Sequence, residues 1–94
     1  MNRLVLGATL AERAAMRFTP AGLPALDLVL AHEAEVLHEG QVRKVSMQLK
    51  ALAVGSTVAA VMPLALGSAA VYGGFLAPAR NGRGLLFHIT DVQA

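Results

Sequence analysis

The sequence has 94 residues, enough for one domain with a single hydrophobic core but too few for two. Its apolar fraction of 55% and charged fraction of 15% exclude an intrinsically disordered chain, and the absence of cysteine excludes disulfide scaffolds and thiolate metal sites. The net charge of +2 is too small to identify a partner, so the positions of the Lys and Arg residues carry more information.

The longest uncharged stretch, between Lys50 and Arg80, raises the question of a membrane span. It is interrupted at Gly55, Pro63, Gly67, Gly73 and Gly74, whereas a spanning helix needs about 20 largely apolar residues in a row. The N-terminal apolar run is cut short at Glu12, so no secretory signal is predicted. We therefore expect a cytoplasmic protein that makes no membrane contact.

Alternating apolar and polar residues predict two strands in the first third of the chain, because successive strand side chains point to opposite faces. The first covers residues 2–10, with a bend or bulge expected at Gly7. Residues 11–17 are ambiguous, and residues 19–22 carry turn-forming Pro and Gly. The second predicted strand covers residues 25–32.

The middle of the chain combines an acidic stretch with the clearest alternation in the sequence. Residues 33–40 carry three glutamates and end in glycine, so a solvated acidic loop is predicted there. The third predicted strand covers residues 42–52 and alternates apolar with polar side chains. Its outward face carries Lys44, Ser46, Gln48 and Lys50.

Three further elements are predicted in the second half. A short helix with a Ser or Thr N-cap is predicted over residues 58–62, ended by Pro63. A fourth strand covers residues 69–76, with a bulge at Gly73 and Gly74. After a polar turn, a fifth strand covers residues 85–92.

This order of elements predicts an all-β fold: a five-stranded OB-fold barrel with a short helix between strands 3 and 4, forming one domain over residues 1–94. An SH3-like or other small barrel is the alternative, which the position of the helix disfavours. OB barrels bind oligonucleotides or oligosaccharides on the face of strands 2 and 3 and in the loops after strands 1 and 4.

The residues that enzymes use do not form a recognisable set in this sequence. No nucleophile lies beside a base, no phosphate-binding loop is present, and the three histidines lack the spacing of metal ligands. We therefore expect a non-enzymatic protein with no cofactor, no metal and no small-molecule substrate.

Basic residues instead cluster in the elements that an OB barrel uses to bind nucleic acid. We expect Arg13 and Arg17 in the first loop, Lys44 and Lys50 on the third strand, and Arg80 and Arg83 in the last loop, all on one side. A scatter of cations over every exposed surface remains an equal alternative on charge pattern alone.

Aromatic side chains that could stack on bases are few. Phe18 and Tyr72 are the candidates, whereas Phe75 and Phe87 are assigned to the core. Any binding to single-stranded nucleic acid is therefore expected to be mainly electrostatic.

Short stretches at residues 2–6, 20–24, 28–32 and 74–76, followed by Asn81 and Gly82, together resemble the PriB family of primosomal replication proteins. That family is related to the bacterial single-stranded DNA-binding protein. The resemblance implies an OB-fold homodimer that binds single-stranded DNA and the PriA helicase, stimulates the helicase and helps to reload the replicative helicase at stalled forks. DnaT is a further possible partner.

The resemblance also implies functional positions. Arg17 and Arg80 match basic DNA-contacting positions of the family, and Arg83 lies near another. Ser46 stands where a family member has an exposed Trp, and Glu33 replaces a basic residue, so weaker DNA binding is expected. The predicted single-stranded DNA-binding residues are Arg13, Arg17, Phe18, Lys44, Ser46, Gln48, Lys50, Arg80, Asn81 and Arg83, and the predicted PriA-contacting residues are Arg43, Lys44 and Arg80.

Two other functions remain open: a general single-stranded DNA coat protein, and a protein-only OB interaction module with weak DNA binding. A coat protein of the related kind would carry a long acidic tail, whereas this sequence stops at Ala94, which favours the restart adaptor. For the dimer, we expect the first strands of two subunits to pair, because Val5 and Thr9 point outward on an otherwise exposed edge.

Overall fold

The computed structural model describes residues 1–94 and contains six strands and one short helix. The elements are β1 (Leu4–Arg13), β2 (Arg17–Phe18), β3 (Pro24–His38), β4 (Gln41–Val54), α1 (Ser56–Val61), β5 (Ala69–Pro78) and β6 (Leu85–Gln93). The five long strands are those predicted from the alternation. The two-residue strand β2 was not predicted and lies immediately before the predicted turn.

The strands form one closed barrel. Their order is β1-β5-β6-β4-β3-β2, and β1 also pairs with β3, which joins the two ends of the five long strands. All pairings are antiparallel except β4 with β6, which pair in parallel over three residue pairs. The predicted OB-fold barrel is therefore confirmed. The helix lies between β4 and β5, which are the third and fourth long strands. The strand numbers are one higher than in the prediction because the short β2 precedes the second long strand.

The core lies inside the barrel and follows the predicted alternation. Leu26, Leu28 and Leu30 of β3 are buried, and the first two lie opposite alanines of β4. Tyr72 and Phe87 are the largest fully buried side chains. The prediction of Tyr72 as a base-stacking residue is therefore wrong: the ring fills the core, and desolvation raises the pKa of its hydroxyl.

The acidic loop predicted at residues 33–40 is also wrong, because β3 and β4 continue through it as a hairpin. Their pairing runs without interruption from Ala25 opposite Val54 to His38 opposite Gln41. Glu39 and Gly40 form the two-residue turn, both with positive φ, at 52° and 74°. The three glutamates are accommodated because Glu33 and Glu35 on β3 and Glu39 in the turn are all exposed to solvent. We call this projecting segment, residues 32–47, the arm.

Two local details differ from the sequence expectation. The irregularity in β1 lies at Ala11, within its pairing with β3, and Gly7 pairs regularly with Val71. The helix is capped by the backbone of Gly55, at φ 70°, and no Ser or Thr side chain caps it. The expected irregularity at Gly73 and Gly74 is present in the pairing with β6.

Gly74 is required where β5 passes close to β6. A Cβ atom at this position would overlap the main-chain carbonyl oxygen of His88, which cannot move without disturbing the barrel. At the neighbouring Gly73, a Cβ would meet only the carboxylate of Asp91, at 2.6 Å, and that exposed side chain can rotate away from it.

We predict that Gly74→Ala lowers the free energy of unfolding by about 2 to 4 kcal/mol, because the overlap is with main-chain atoms and no side-chain rotation can relieve it. In a domain of this size such a loss lowers Tm by roughly 10 °C or more. Gly73→Ala is the matched control and is expected to cost clearly less. Urea and thermal unfolding measure both, and equal losses would contradict the proposed close approach.

Candidate nucleic-acid interface

A basic cleft lies on the outer surface of the barrel, between the strands β3 and β4 and the loop that joins β5 to β6. Its volume is about 630 Å³. The residues that line it are Arg17, Asp27, Lys50, Leu52, Ala79, Arg80, Asn81, Arg83, Gly84, Leu85 and Leu86. The structure thus brings together five of the predicted DNA-binding residues from three separate parts of the chain.

Sheet register places the cleft residues on the outward face. Asp27 is opposite Leu52 in the β3–β4 pairing, and Leu52 is opposite His88 in the parallel β4–β6 pairing. Because alternate residues share a face, Lys50 lies on the same outward face as Leu52. Arg17 enters from β2, where it pairs with Ala25.

The β5–β6 loop is ordered by its own hydrogen bonds. The amide of Ala79 donates to the carbonyl of Gly84 at 3.1 Å, and the amide of Gly82 donates to the carbonyl of Ala79 at 2.8 Å. The amide of Arg83 donates to the Asn81 side-chain oxygen at 2.9 Å. This compact turn presents Arg80 and Arg83 at the rim of the cleft.

One carboxylate lies among the four cations that line the cleft. Arg17 donates from Nε to Oδ2 of Asp27 at 2.8 Å and from Nη2 to Oδ1 at 3.2 Å. The hydrogen bond from Arg17 lowers the pKa of Asp27 below its usual value, so the carboxylate is ionised at neutral pH. Lys50, Arg80 and Arg83 form no ion pair and are exposed, although the charge of Arg80 also helps to lower the pKa of Asp27.

Arg13 lies beside the cleft rather than in it. It lines an adjoining depression of about 400 Å³ that shares Asp27 and Lys50 with the cleft. Its guanidinium donates to the main-chain carbonyl of Leu64, in the segment that follows the helix. Arg13 therefore contributes positive charge next to the cleft while part of its donor capacity is used internally.

The remaining predicted DNA-binding residues of β4 lie on the arm or at its base. Lys44 is opposite Glu35 and Ser46 is opposite Glu33, and these four residues line a separate depression of about 520 Å³. Gln48 is opposite Ala31 near the base of the arm. The acidic partners offset the charge of Lys44, so this surface is less basic than the alternation of β4 alone predicts.

The three predicted helicase-contacting residues do not form one patch. Arg43 and Lys44 are consecutive in a strand, so their side chains project from opposite faces of the arm. Arg80 lies at the cleft. Their roles remain predictions, and any surface that includes all three must extend around the arm.

Two phenylalanines are exposed. Phe18 is exposed to 64%, as expected for a base-stacking candidate, although it does not line the cleft. The assignment of Phe75 to the core is wrong: it is 38% exposed and stacks on the ring of His88, with centroids 4.8 Å apart and planes inclined by 9°. The alternation of β5 contains the signal, because inward Tyr72 places Phe75 outward.

The Phe75–His88 stack is continuous with the basic cleft. Leu52 lines both the cleft and a smaller depression of about 240 Å³ that includes both rings. Charged and aromatic groups therefore share one outer surface across β4, β6 and β5. This combination suits an anionic chain with planar bases, because phosphates need cations and bases need flat apolar rings.

No three His, Cys, Asp or Glu side chains lie close enough to hold a metal ion together. The single helix, Ser56–Val61, is far shorter than a helix that crosses a bilayer.

Sequence comparison assigns the chain to a family. A sequence profile described as "Another single-strand binding protein family" matches residues 2–91. The replication restart protein PriB of Bordetella pertussis is 48% identical over 81 residues, which cover 86% of this chain and 76% of that protein. The chain belongs to the PriB family.

Solved structures agree with this assignment. The structure of PriB from Ralstonia solanacearum superposes with a TM-score of 0.89 at 35% identity and covers 99% of this chain and 96% of that one. The single-stranded DNA-binding protein of Thermus aquaticus superposes with a TM-score of 0.76 at 26% identity and covers 99% of this chain and 49% of that one. The PriB-type barrel is thus related to that of the single-stranded DNA-binding proteins.

Proposed function

We propose that this protein is a component of the replication-restart primosome that binds single-stranded DNA in the basic cleft. The observation that carries the proposal is the convergence of Arg17, Lys50, Arg80 and Arg83 on one outer surface of an OB barrel of the PriB family. The role is one of binding, so it requires no catalytic residue.

The charge and ring distribution supports a particular path for the DNA. Phosphates would contact Lys50, Arg80 and Arg83, whose cations are free of ion pairs. Bases would then stack on Phe75, across the apolar surface of Leu52. The arm contributes less, because Glu33 and Glu35 lie directly across from Ser46 and Lys44.

We predict salt-sensitive binding to labelled oligo-dT. If about four phosphates are neutralised, a slope of about −0.7 per contact predicts roughly 50-fold weaker binding at 200 mM than at 50 mM salt. The triple variant Arg17→Ala/Arg80→Ala/Arg83→Ala should lose most of this binding and most of the salt dependence. Fluorescence anisotropy measures both quantities.

Arg80→Ala and Arg3→Ala form a matched pair of single variants for the same titration. Each removes one guanidinium, but Arg3 pairs with Asp91 at 3.3 Å and does not line the cleft. Arg3→Ala is therefore expected to bind oligo-dT like the unaltered protein. No binding at 50 mM salt would contradict the DNA-binding role and favour a protein-only interaction module.

We further propose that the protein contacts the PriA helicase, stimulates it and helps to reload the replicative helicase at stalled forks, with DnaT as a further partner. Membership of the PriB family supports this role over that of a general coat protein. Arg43 on the arm is the most informative helicase candidate, because its face of the arm is opposite that of Lys44.

Separate substitutions at Arg43 and Lys44 test the helicase contact. We expect Arg43→Ala to weaken PriA binding by about 5-fold, the effect of one exposed ion pair, while oligo-dT binding stays unchanged. Lys44→Ala should reduce both binding reactions. Pull-down or anisotropy with purified PriA measures the first, and unchanged PriA binding in both variants would contradict a contact through the arm.

We also propose a homodimer formed by pairing of first strands. Residues 4–8 of β1 pair with β5 on one side only, and β3 pairs with β1 only from Thr9 onward. On the open side, the carbonyl oxygen of Gly7 is hydrogen-bonded to Nδ1 of His32 at 2.6 Å. The side chain of Val5, on the same stretch, is 58% exposed. A second β1 would cover this edge and the apolar side chain.

Sedimentation at micromolar concentration tests the dimer. The expected mass is about twice the 9.8 kDa of the chain. Val5→Lys, which places a charge at the pairing edge, should shift the distribution toward the monomer. A protein that sediments only at 9.8 kDa would overturn the proposed pairing.

A further inference from the structure

Asp27 is the single carboxylate among the residues that line the basic cleft. It lies on the outward face of β3, opposite Leu52, and lines both the cleft and the adjoining depression next to Arg13. A negative charge within a surface suited to phosphates opposes the proposed function and therefore requires a physical account.

The contact that Asp27 makes is one that a phosphate would otherwise make. Arg17 donates two parallel hydrogen bonds, from Nε at 2.8 Å and Nη2 at 3.2 Å, to the two carboxylate oxygens. Guanidinium groups bind phosphate oxygens with the same two-point geometry. While the carboxylate holds this fork, Arg17 cannot present it to DNA.

We infer that Asp27 limits the affinity of the cleft for single-stranded DNA by competing with backbone phosphates for the guanidinium of Arg17. The inference rests on the proposed DNA-binding role of the cleft. Phosphate must either displace the carboxylate or bind Arg17 through its remaining donors, and in both arrangements the charge of Asp27 repels the incoming chain.

The geometry permits the exchange. The side chains of Arg17 and Asp27 are 38% and 48% exposed, so both partners remain accessible to a ligand at the cleft. Hydrogen bonding to Arg17 keeps the carboxylate ionised, which maintains the competition at neutral pH. The four cations of the cleft therefore differ in availability. Lys50, Arg80 and Arg83 can bind phosphate directly, whereas Arg17 can bind it with both donors only after it leaves Asp27.

The test is a gain of binding. Asp27→Asn removes the charge without changing the size of the side chain and should bind oligo-dT about 5-fold more tightly at 50 mM salt, the effect of one exposed ion pair. Release of Arg17 adds one phosphate contact, so the salt slope should steepen by about 0.7. Asp27→Glu keeps a carboxylate at the cleft and should behave like the unaltered protein.

Asp91→Asn is the matched control. It removes the same charge, and Asp91 also pairs with an arginine, Arg3, but it lines no part of the cleft. Its effect on oligo-dT binding should be less than 2-fold. The double variant Arg17→Ala/Asp27→Asn separates competition for Arg17 from the loss of a negative charge: relative to Arg17→Ala alone, only the repulsion is relieved, so the gain should be clearly smaller than about 5-fold.

The outcomes distinguish this inference from the proposed function. If the unaltered protein binds oligo-dT with the expected salt dependence and Asp27→Asn binds equally or more weakly, the competition is wrong and the DNA-binding role stands. Weaker binding would mean that Asp27 orients Arg17 for DNA. If neither protein binds at 50 mM salt, both the inference and the DNA-binding role are wrong.

Discussion

The parallel pairing of β4 with β6 is the constraint on which both the barrel and its basic cleft depend. It extends over three residue pairs, from Ala51 opposite Phe87 to Ala53 opposite Ile89. The alanines leave room for the larger side chains of β6 in the core, where all four residues are buried. Without this pairing the sheet would stay open, and the loop after β5 would not lie beside Lys50.

Closure at the other end of the sheet depends on β1. The strand pairs with β5 through residues 4–9 and with β3 from Thr9 to Arg13, with an irregularity at Ala11. One strand thereby serves two partners, which leaves the edge of its first residues open on the side of β3. The feature that closes the barrel also leaves open the edge at which the proposed second subunit would pair.

The candidate interface joins electrostatic and apolar elements that have different origins in the chain. The cations come from β2, β4 and the β5–β6 loop, whereas the aromatic stack comes from Phe75 and His88 on adjacent strands. Leu52 connects the two. Asp27 moderates the positive charge, and the glutamates of the arm do the same for Lys44. At the proposed interface these carboxylates lower the positive potential that a phosphate chain would meet.

Much of the fold follows from local sequence, since alternation with a period of two is a property of consecutive residues. It predicts the five long strands and the inward leucines of β3. Capping residues and Pro63 predict the short helix, and turn chemistry places Arg80 and Arg83 in one loop. The outward position of Phe75 is contained in the same alternation but is masked by the general tendency of phenylalanine to be buried.

Tertiary structure alone decided the features that depend on pairing between distant residues. The arm forms because the main chain at Glu33 and Glu35 pairs with β4, although a glutamate-rich stretch is typical of a loop. The ion pair of Arg17 with Asp27 joins residues ten positions apart across β2 and β3. A single sequence specifies which side chains alternate along each strand. The neighbour that each side chain meets depends on register and closure, and these are set only when the whole barrel forms.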